Sequence, residues 1–242
     1  MKPLAAGPRV LLRAPAAADR SEFLALTRAS RRFHRPWSRP PTTPASFAAW
    51  LRRYRDPAQV ALLACRRDDG GIVGVLTLME IVRGAFQGAY LGYWVGAPFA
   101  GQGYMREALH LALRHGFGPL RLHRVEANIQ PGNVRSLALV RRAGFRREGF
   151  SPRYLKIGGR WRDHERWALL AEDCARRGSR ANPRRALTLR NRSPRAKRAE
   201  IASERGVRTR RASPDGARGG TPRINNPASK VPRASRPSAS RR

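Results

Sequence analysis

The sequence predicts an α/β domain built on a sheet of mixed direction, followed by a basic tail that does not fold. Three observations carry this reading. Strand-like and helix-like spacings follow one another in the order β-α-α-β-β-β-α-β-α-β-β across residues 9–170. In the middle of that order, a Gly101-Gln102-Gly103 turn joins an aromatic strand to an amphipathic helix. Residues 178–242 contain no Phe, Trp or Tyr and seven prolines among many Arg and Ser. Such a segment buries too little apolar surface to offset chain entropy, so disorder is expected there.

Residues 9–13 form a short first strand. Pro15 opens a helix whose amphipathic face carries Ala18, Phe23 and Leu26. Residues 31–44 (RRFHRPWSRPPTTP) read as a loop, because four prolines oppose regular structure. Its aromatics, Phe33 and Trp37, either cap the core or bind something. A second helix over 45–54 places Phe47, Trp50, Leu51 and Tyr54 on one side. Strands over 60–65 and 72–81 flank the Asp68-Asp69-Gly70-Gly71 hairpin turn. Residues 89–95 hold Tyr90, Leu91, Tyr93, Trp94 and Val95, an aromatic and β-branched run suited to a strand. After the glycine turn, Met105, Leu109, Ala112 and Leu113 recur at helical spacing, and Gly116 and Gly118 stop that helix. Residues 122–129 form a strand. Two longer strands, 146–157 and 161–170, turn at Gly158-Gly159.

The chain has 242 residues with Lys plus Arg at 50 against 16 acids. All but Lys2, Lys156, Lys197 and Lys230 of these bases are Arg. Alongside the many Ala, Gly and Pro, this is the composition of a GC-rich coding sequence, so charge alone is a weak guide to partners. Residues 1–177 carry 31 bases and 13 acids, and residues 178–242 carry 19 and 3. Two cysteines, Cys65 and Cys174, give neither a disulfide framework nor a metal spacing. His34, His110, His115 and His123 show no ligand spacing either, and no metal is expected. No apolar run approaches the ~20 residues of a membrane-spanning helix. A cytoplasmic protein that does not contact membrane is expected.

A Gly-x-Gly turn between strand and helix lets backbone approach a ligand closely and aims helix N-terminal amides at an anion such as a pyrophosphate. Taken alone, it is as readily a tight connection. It lacks the third glycine of a dinucleotide fingerprint and the Gly-Lys-Ser/Thr of a P-loop. The surroundings make it specific. Asn133-Val134-Arg135-Ser136 opens the next helix, and Ala143-Gly144-Phe145 ends it. Together with Gly92-Tyr93-Trp94-Val95, Gly101-Gln102-Gly103-Tyr104-Met105, Glu126-Ala127-Asn128, Tyr154-Leu155 and Trp161-Arg162-Asp163-His164, these motifs resemble the GNAT N-acetyltransferase superfamily. Within it they are most similar to the RimJ/RimL branch of ribosomal-protein N-terminal acetyltransferases, and to its RimJ type in particular. The resemblance covers residues 8–173, taken as the catalytic domain, with 178–242 as the tail.

The resemblance implies a GNAT fold: a mostly antiparallel sheet whose central strand pair splays, with the thioester of acetyl-CoA lying in the gap. Backbone groups of Trp94 and Val95 would contact the pantetheine and the thioester carbonyl, one amide acting as oxyanion donor. Amides of Gly101, Gln102, Gly103, Tyr104 and Met105 would hold the pyrophosphate, with Arg106 either an added charge or part of a solvated helix face. Asn133 would cap its helix and contact the coenzyme. Many members protonate the departing thiolate with a Tyr seven residues after this Asn, where this chain has Val140. The usual acid is thus absent, and Ser136 is the candidate to hydrogen-bond the thiolate, with an ordinary first-turn Ser as the alternative. Glu126, with Glu80 beside it, is the weak candidate base, and pairing on the surface is the alternative for Glu126. Arg35, Trp37, Tyr93 and Tyr154 would face the acceptor, with core packing as the alternative for the three aromatics. Asp163 and His164 are expected to orient a strand.

An α-amino group has a pKa of about 7.7–8.0 against about 10.4 for lysine, so an N-terminal amine attacks with little help from a base. The implied activity is acetyl transfer from acetyl-CoA to the N-terminal alanine of a small-subunit ribosomal protein. The positive surface would associate electrostatically with ribosomal RNA. Two alternatives stand beside this: a GNAT enzyme for a small amine such as a polyamine or aminoglycoside, and a non-enzymatic RNA-binding protein on the same fold.

Overall fold

A computed structural model describes residues 3–181. One eight-stranded sheet organises them, in the order β1-β2-β3-β4-β5-β6-β8-β7. The strands are β1 (Ala5–Ala6), β2 (Val10–Arg13), β3 (Val60–Arg66), β4 (Ile72–Val82), β5 (Gly88–Val95), β6 (Arg124–Ile129), β7 (Arg146–Ile157) and β8 (Arg160–Leu170). Every neighbouring pair is antiparallel except β5 and β6. The helices are α1 (Arg20–Ala29), α2 (Arg31–His34), α3 (Pro44–Arg53), α4 (Tyr104–Phe117), α5 (Val134–Ala143) and α6 (Ala171–Ala181).

The sheet separates two cores. On one face, Leu109, Ala112 and Leu113 of α4 and Val140 of α5 pack on Leu76, Leu91, Val125 and Ala127. On the other, Phe23 of α1 and Phe47 of α3 pack on Leu63 and Val75. The amphipathic spacing of each helix in the sequence is the cause of this layering.

Several elements differ from the sequence reading. The segment 31–44 is not all loop: α2 completes one turn ahead of Pro36, and Pro44 takes the first position of α3, where its missing N–H is not needed. The first helix begins later than Pro15. A 3-10 turn over Ala17–Asp19 precedes it, fixed by Asp19, which accepts from the Ala16 amide at 2.6 Å and pairs with Arg13 at 2.7 Å. Gly116 does not stop α4; the helix runs through it to Phe117. Strand β1 and helix α6 carried no signal strong enough to read. Helix α6 runs through the expected start of the tail at residue 178, and the rest of that segment, 182–242, lies outside the described residues.

Candidate active site

The site begins where β5 leaves β6. Their parallel pairing covers only Gly88↔Arg124, Ala89↔Val125 and Tyr90↔Glu126. Beyond that point β5 stays with β4 up to Val95, and β6 stays with β8 up to Ile129. A gap therefore opens between two strands that are each supported from behind, which is the expected splay.

The pairing also decides which backbone groups face the gap. The Gly96 amide donates to the Val73 carbonyl at 2.8 Å. Alternation along an antiparallel pair then turns the N–H and C=O of Trp94 and Gly92 toward β4, and those of Val95, Tyr93 and Leu91 toward the gap. The expectation for Val95 fits this arrangement, whereas that for the Trp94 backbone does not. The Trp94 carbonyl faces Gly74 of β4, and its indole packs edge-on to Phe23 and His34 at centroid distances of 5.4 and 5.2 Å. Tyr93 is the second strand residue whose backbone borders the gap. The Val95 carbonyl already accepts from His34 Nε2 at 2.9 Å, which leaves the Val95 N–H for a ligand.

The gap belongs to a cleft of about 1230 Å³. Its floor on the α4 side is the glycine turn. Gly101 and Gly103 have φ of +78° and +86°, conformations that L side chains rarely adopt, and Gly103 caps α4 without a side chain. The first N–H groups of α4 have no acceptor within the helix, beside Met105 and Arg106 of the cleft wall, an arrangement able to receive an anion. Arg106, Arg135 and Arg142 line the same cleft, and none of the three has an ion-pair partner among the described residues. The side chains of Gln102 and Tyr104 turn away from it. Gln102 Nε2 donates to the Pro98 carbonyl at 2.6 Å, and the Tyr104 ring carries the Arg9 guanidinium at 4.3 Å and meets Phe99 edge-on. Only their backbone amides belong to the turn.

From α5, Asn133 caps the helix by accepting from the Ser136 amide at 3.2 Å. Ser136 then meets Tyr93: its Oγ lies 2.5 Å from the Tyr93 hydroxyl. Burial pushes the Tyr93 phenol up to about 12, against the opposing effect of this bond. The phenol stays protonated at neutral pH, and either hydroxyl of the pair can donate to the other. The sequence reading placed Tyr93 on the acceptor wall and Ser136 alone on the thiolate side. The two are one unit, although 43 residues separate them.

The opposite side of the cleft is made by Trp37, Met79, Glu80, Tyr90, Tyr154 and His164. Trp37 bridges the mouth: its carbonyl accepts from Gln130 Nε2 at 3.3 Å, and its ring sits over Gly132. Tyr154 stands edge-on to His164. Glu80, at φ +50° in a bulge of β4, is the only carboxylate on the wall among the described residues. Arg35 is exposed and does not line the cleft. Glu126 does not line it either: it sits at the last paired position, and Arg124 holds it at 2.8 Å while also engaging Glu148. Its carboxylate is thus neutralised at the closed end of the gap, which argues against a role as base. Missed by sequence reasoning were His34, buried and holding the Val95 carbonyl, and Asn128, whose motif was noted without a role. No group of three His, Cys, Asp or Glu side chains able to hold a metal, and no helix long and apolar enough to cross a membrane, occurs among the described residues.

Comparison with known proteins agrees with this geometry. Residues 9–146 match the acetyltransferase (GNAT) domain. The ribosomal protein uS5-alanine N-acetyltransferase of Escherichia coli K12 is 43% identical over 106 residues, 44% of this chain and 55% of that protein. The chain thus spans little more than half the length of the curated relatives it matches. Among solved structures, Mycobacterium smegmatis RimJ in complex with CoA-disulfide superposes with a TM-score of 0.66 at 30% identity, covering 75% of this chain and 97% of that one. A ribosomal-protein-S5-alanine acetyltransferase from Vibrio fischeri shares the fold at 23% identity, with a TM-score of 0.63 and coverage of 69% and 96%. A splayed parallel pair, a left-handed glycine turn at a helix start and a matching domain profile lead to one conclusion: the chain belongs to the GNAT acetyltransferase family.

Proposed function

We propose that this protein transfers the acetyl group of acetyl-CoA to the N-terminal amine of a protein, with an alanine at the start of a small-subunit ribosomal protein as acceptor. The observation that carries this is the gap between β5 and β6, with the anion-binding turn of α4 on one side and an aromatic wall on the other. Pyrophosphate on the Gly101–Arg106 amides, with Arg106 and Arg142 nearby, would direct the pantetheine into the gap. There the Val95 N–H is placed to donate to the thioester oxygen as it gains charge. The neutral amine attacks the thioester carbon, the new C–N bond forms and the C–S bond breaks. Ser136, held by the Tyr93 hydroxyl, hydrogen-bonds the departing sulfur, and the proton shed by the new amide nitrogen neutralises the thiolate, so that CoA leaves as the free thiol. Among the described residues no strong base faces the gap, which suits an α-amine with its pKa of about 7.7–8.0. The alanine acceptor is carried by the likeness to the uS5-alanine enzyme. This acceptor and coenzyme imply a cytoplasmic site of action.

The test mixes the full chain and acetyl-CoA with a peptide bearing a free N-terminal alanine and, separately, with spermidine. Transfer to the peptide and not to spermidine is expected. Transfer to spermidine alone makes the protein a small-amine enzyme, and RNA binding with no affinity for acetyl-CoA makes it a non-enzymatic module. Residues 1–177 carry 31 bases and 13 acids. Association with ribosomal particles at low salt, lost at high salt, is therefore also expected; its absence at low salt removes ribosomal RNA as a partner.

A further inference from the structure

Five buried side-chain polar atoms lack a hydrogen-bond partner among the described residues: His34 Nδ1, Gln59 Oε1, His115 Nδ1, Asn128 Oδ1 and Arg162 Nε. A buried polar atom left unpaired is costly, so each calls for a partner. Two of these residues, His34 and Asn128, line the cleft. The other ring nitrogen of His34 is committed to the Val95 carbonyl, and its ring lies against Trp94.

Asn128 stands elsewhere. It lies on β6 two positions beyond Glu126, the last residue paired with β5, so it borders the open stretch. Carrying the Tyr90↔Glu126 register forward puts it across the gap from Gly92, which has no side chain. Alternation along β6 turns Val125, Ala127 and Ile129 into the core beneath α4 and α5. Asn128 therefore faces the other side of the sheet, the side of Tyr90 and Glu80. The pyrophosphate turn and Ser136 belong to the α4 and α5 side. A thioester lying in the gap thus has Ser136 on one side and Asn128 on the other.

We propose that Asn128 is the catalytic residue that receives the attacking amine: its carboxamide oxygen accepts an N–H from the acceptor nitrogen and aims the nitrogen lone pair at the thioester carbon. The inference rests on the acetyl-transfer reading above. An uncharged amide suits this task. It accepts from a neutral amine, whereas a carboxylate would stabilise the ammonium form, which cannot attack. The oxygen is left without a protein partner because the substrate supplies one in the reacting complex.

The experiment uses the full chain carrying Asn128→Leu, Asn128→Ala or Asn128→Asp. Acetyl-CoA binding is measured by calorimetry and acetyl transfer to the alanine peptide by initial rates. Leu keeps the volume and removes the acceptor, and Ala guards against a Leu variant that packs badly. For both, a fall of about tenfold or more in kcat/KM is expected with the acetyl-CoA Kd unchanged, the scale of a lost orienting contact. Asn128→Asp keeps acceptor oxygens and restores most of the rate at pH 8.5, with its loss growing toward pH 6.5 as the ammonium is favoured. Undiminished transfer by the Leu and Ala variants overturns the proposal, as does an Asp variant as slow as Leu at pH 8.5. If the unsubstituted chain transfers nothing to any amine, the acetyl-transfer reading falls and the proposal with it; a transferring parent with indifferent variants sinks the proposal alone.

Discussion

Replacing Gly74 with alanine would push β5 into the cleft from behind. A Cβ at Gly74 would stand 2.9 Å from Met105 Cε and 3.1 Å from Val95 Cα, and closer still to the Trp94 carbonyl oxygen. Carbon atoms rest at about 3.5–4.0 Å, so β5 must yield by at least roughly half an ångström, and by more at the Trp94 oxygen. It has somewhere to go, because beyond Tyr90 its other edge is unpaired. Most of the strain is then relieved by narrowing the gap. Overpacking of this kind costs about 1–3 kcal/mol, and the freedom of β5 puts the expected loss near the lower end. Transfer should suffer more, because the Val95 N–H and Met105 move together. A misplacement of about 1 Å at a reacting centre can cost ~100-fold, so a fall in kcat/KM of about tenfold is expected with a melting temperature only a few degrees lower. Thermal melts and initial rates on the same preparation read both quantities. A variant whose stability drops while kcat/KM holds would show that the strain goes into β4, and the account of β5 as the mobile wall would be wrong.

Three further outcomes follow from the same geometry. Ser136→Ala should slow turnover at least several-fold with acetyl-CoA affinity little changed, since in the proposed reaction the residue meets the leaving sulfur while its backbone cap to Asn133 survives the change; an unchanged kcat discards the role. Glu126→Gln should leave kcat/KM within about twofold, because Arg124 holds that carboxylate at the closed end of the gap and an exposed or half-buried ion pair contributes about 0–1 kcal/mol; a large loss would reinstate it as a base. Burial lowers the pKa of His34, His115 and His164. As pH falls below about 6.5, the unfolded chain binds protons that the folded chain resists, so stability present above that pH is lost progressively through the lower folded values. Melting temperature should thus fall between pH 7 and pH 5, with a smaller fall in His34→Gln; a flat profile in the parent contradicts the assignment.

The half of the site proposed to hold the coenzyme was legible in its backbone because it is local. Gly101 to Arg106 and Asn133 to Ser136 are short contiguous segments whose conformations follow from glycine, helix start and cap, and the structure folds them as read. Misreadings came where long-range pairing decides. Glu126 and Asn128 share a motif and a face of β6, yet one lies at the last paired position and the other beyond it. No local spacing reveals where β5 departs from β6. Trp94 and Val95 are adjacent, and the register with β4 alone decides which backbone faces the gap. The proline-rich segment hid α2, because its helical turn is complete before the first proline.

The sheet itself explains this division of labour. The α4 and α5 side of the gap, where the proposal puts the coenzyme, is built from the first turns of two helices and carries arginines without an ion-pair partner among the described residues, which suits a ligand with many phosphate charges. The acceptor side draws Trp37, Glu80, Tyr90, Asn128 and Tyr154 from five separate segments, none contiguous with another. It is mostly neutral and aromatic, with Glu80 as its single carboxylate among the described residues. A polycation such as spermidine would meet that one carboxylate against Arg53, which approaches it at 3.6 Å. A peptide N-terminus brings one amine and uncharged backbone, so the wall needs aromatic surface and one neutral acceptor at the point of attack. Tyr90, Tyr154 and Trp37 offer the first, and Asn128 the second. If spermidine proved the better substrate, Glu80→Gln would have to abolish the preference; with a peptide substrate the same change should alter kcat/KM by less than about threefold, because an exposed carboxylate already paired with arginine adds little.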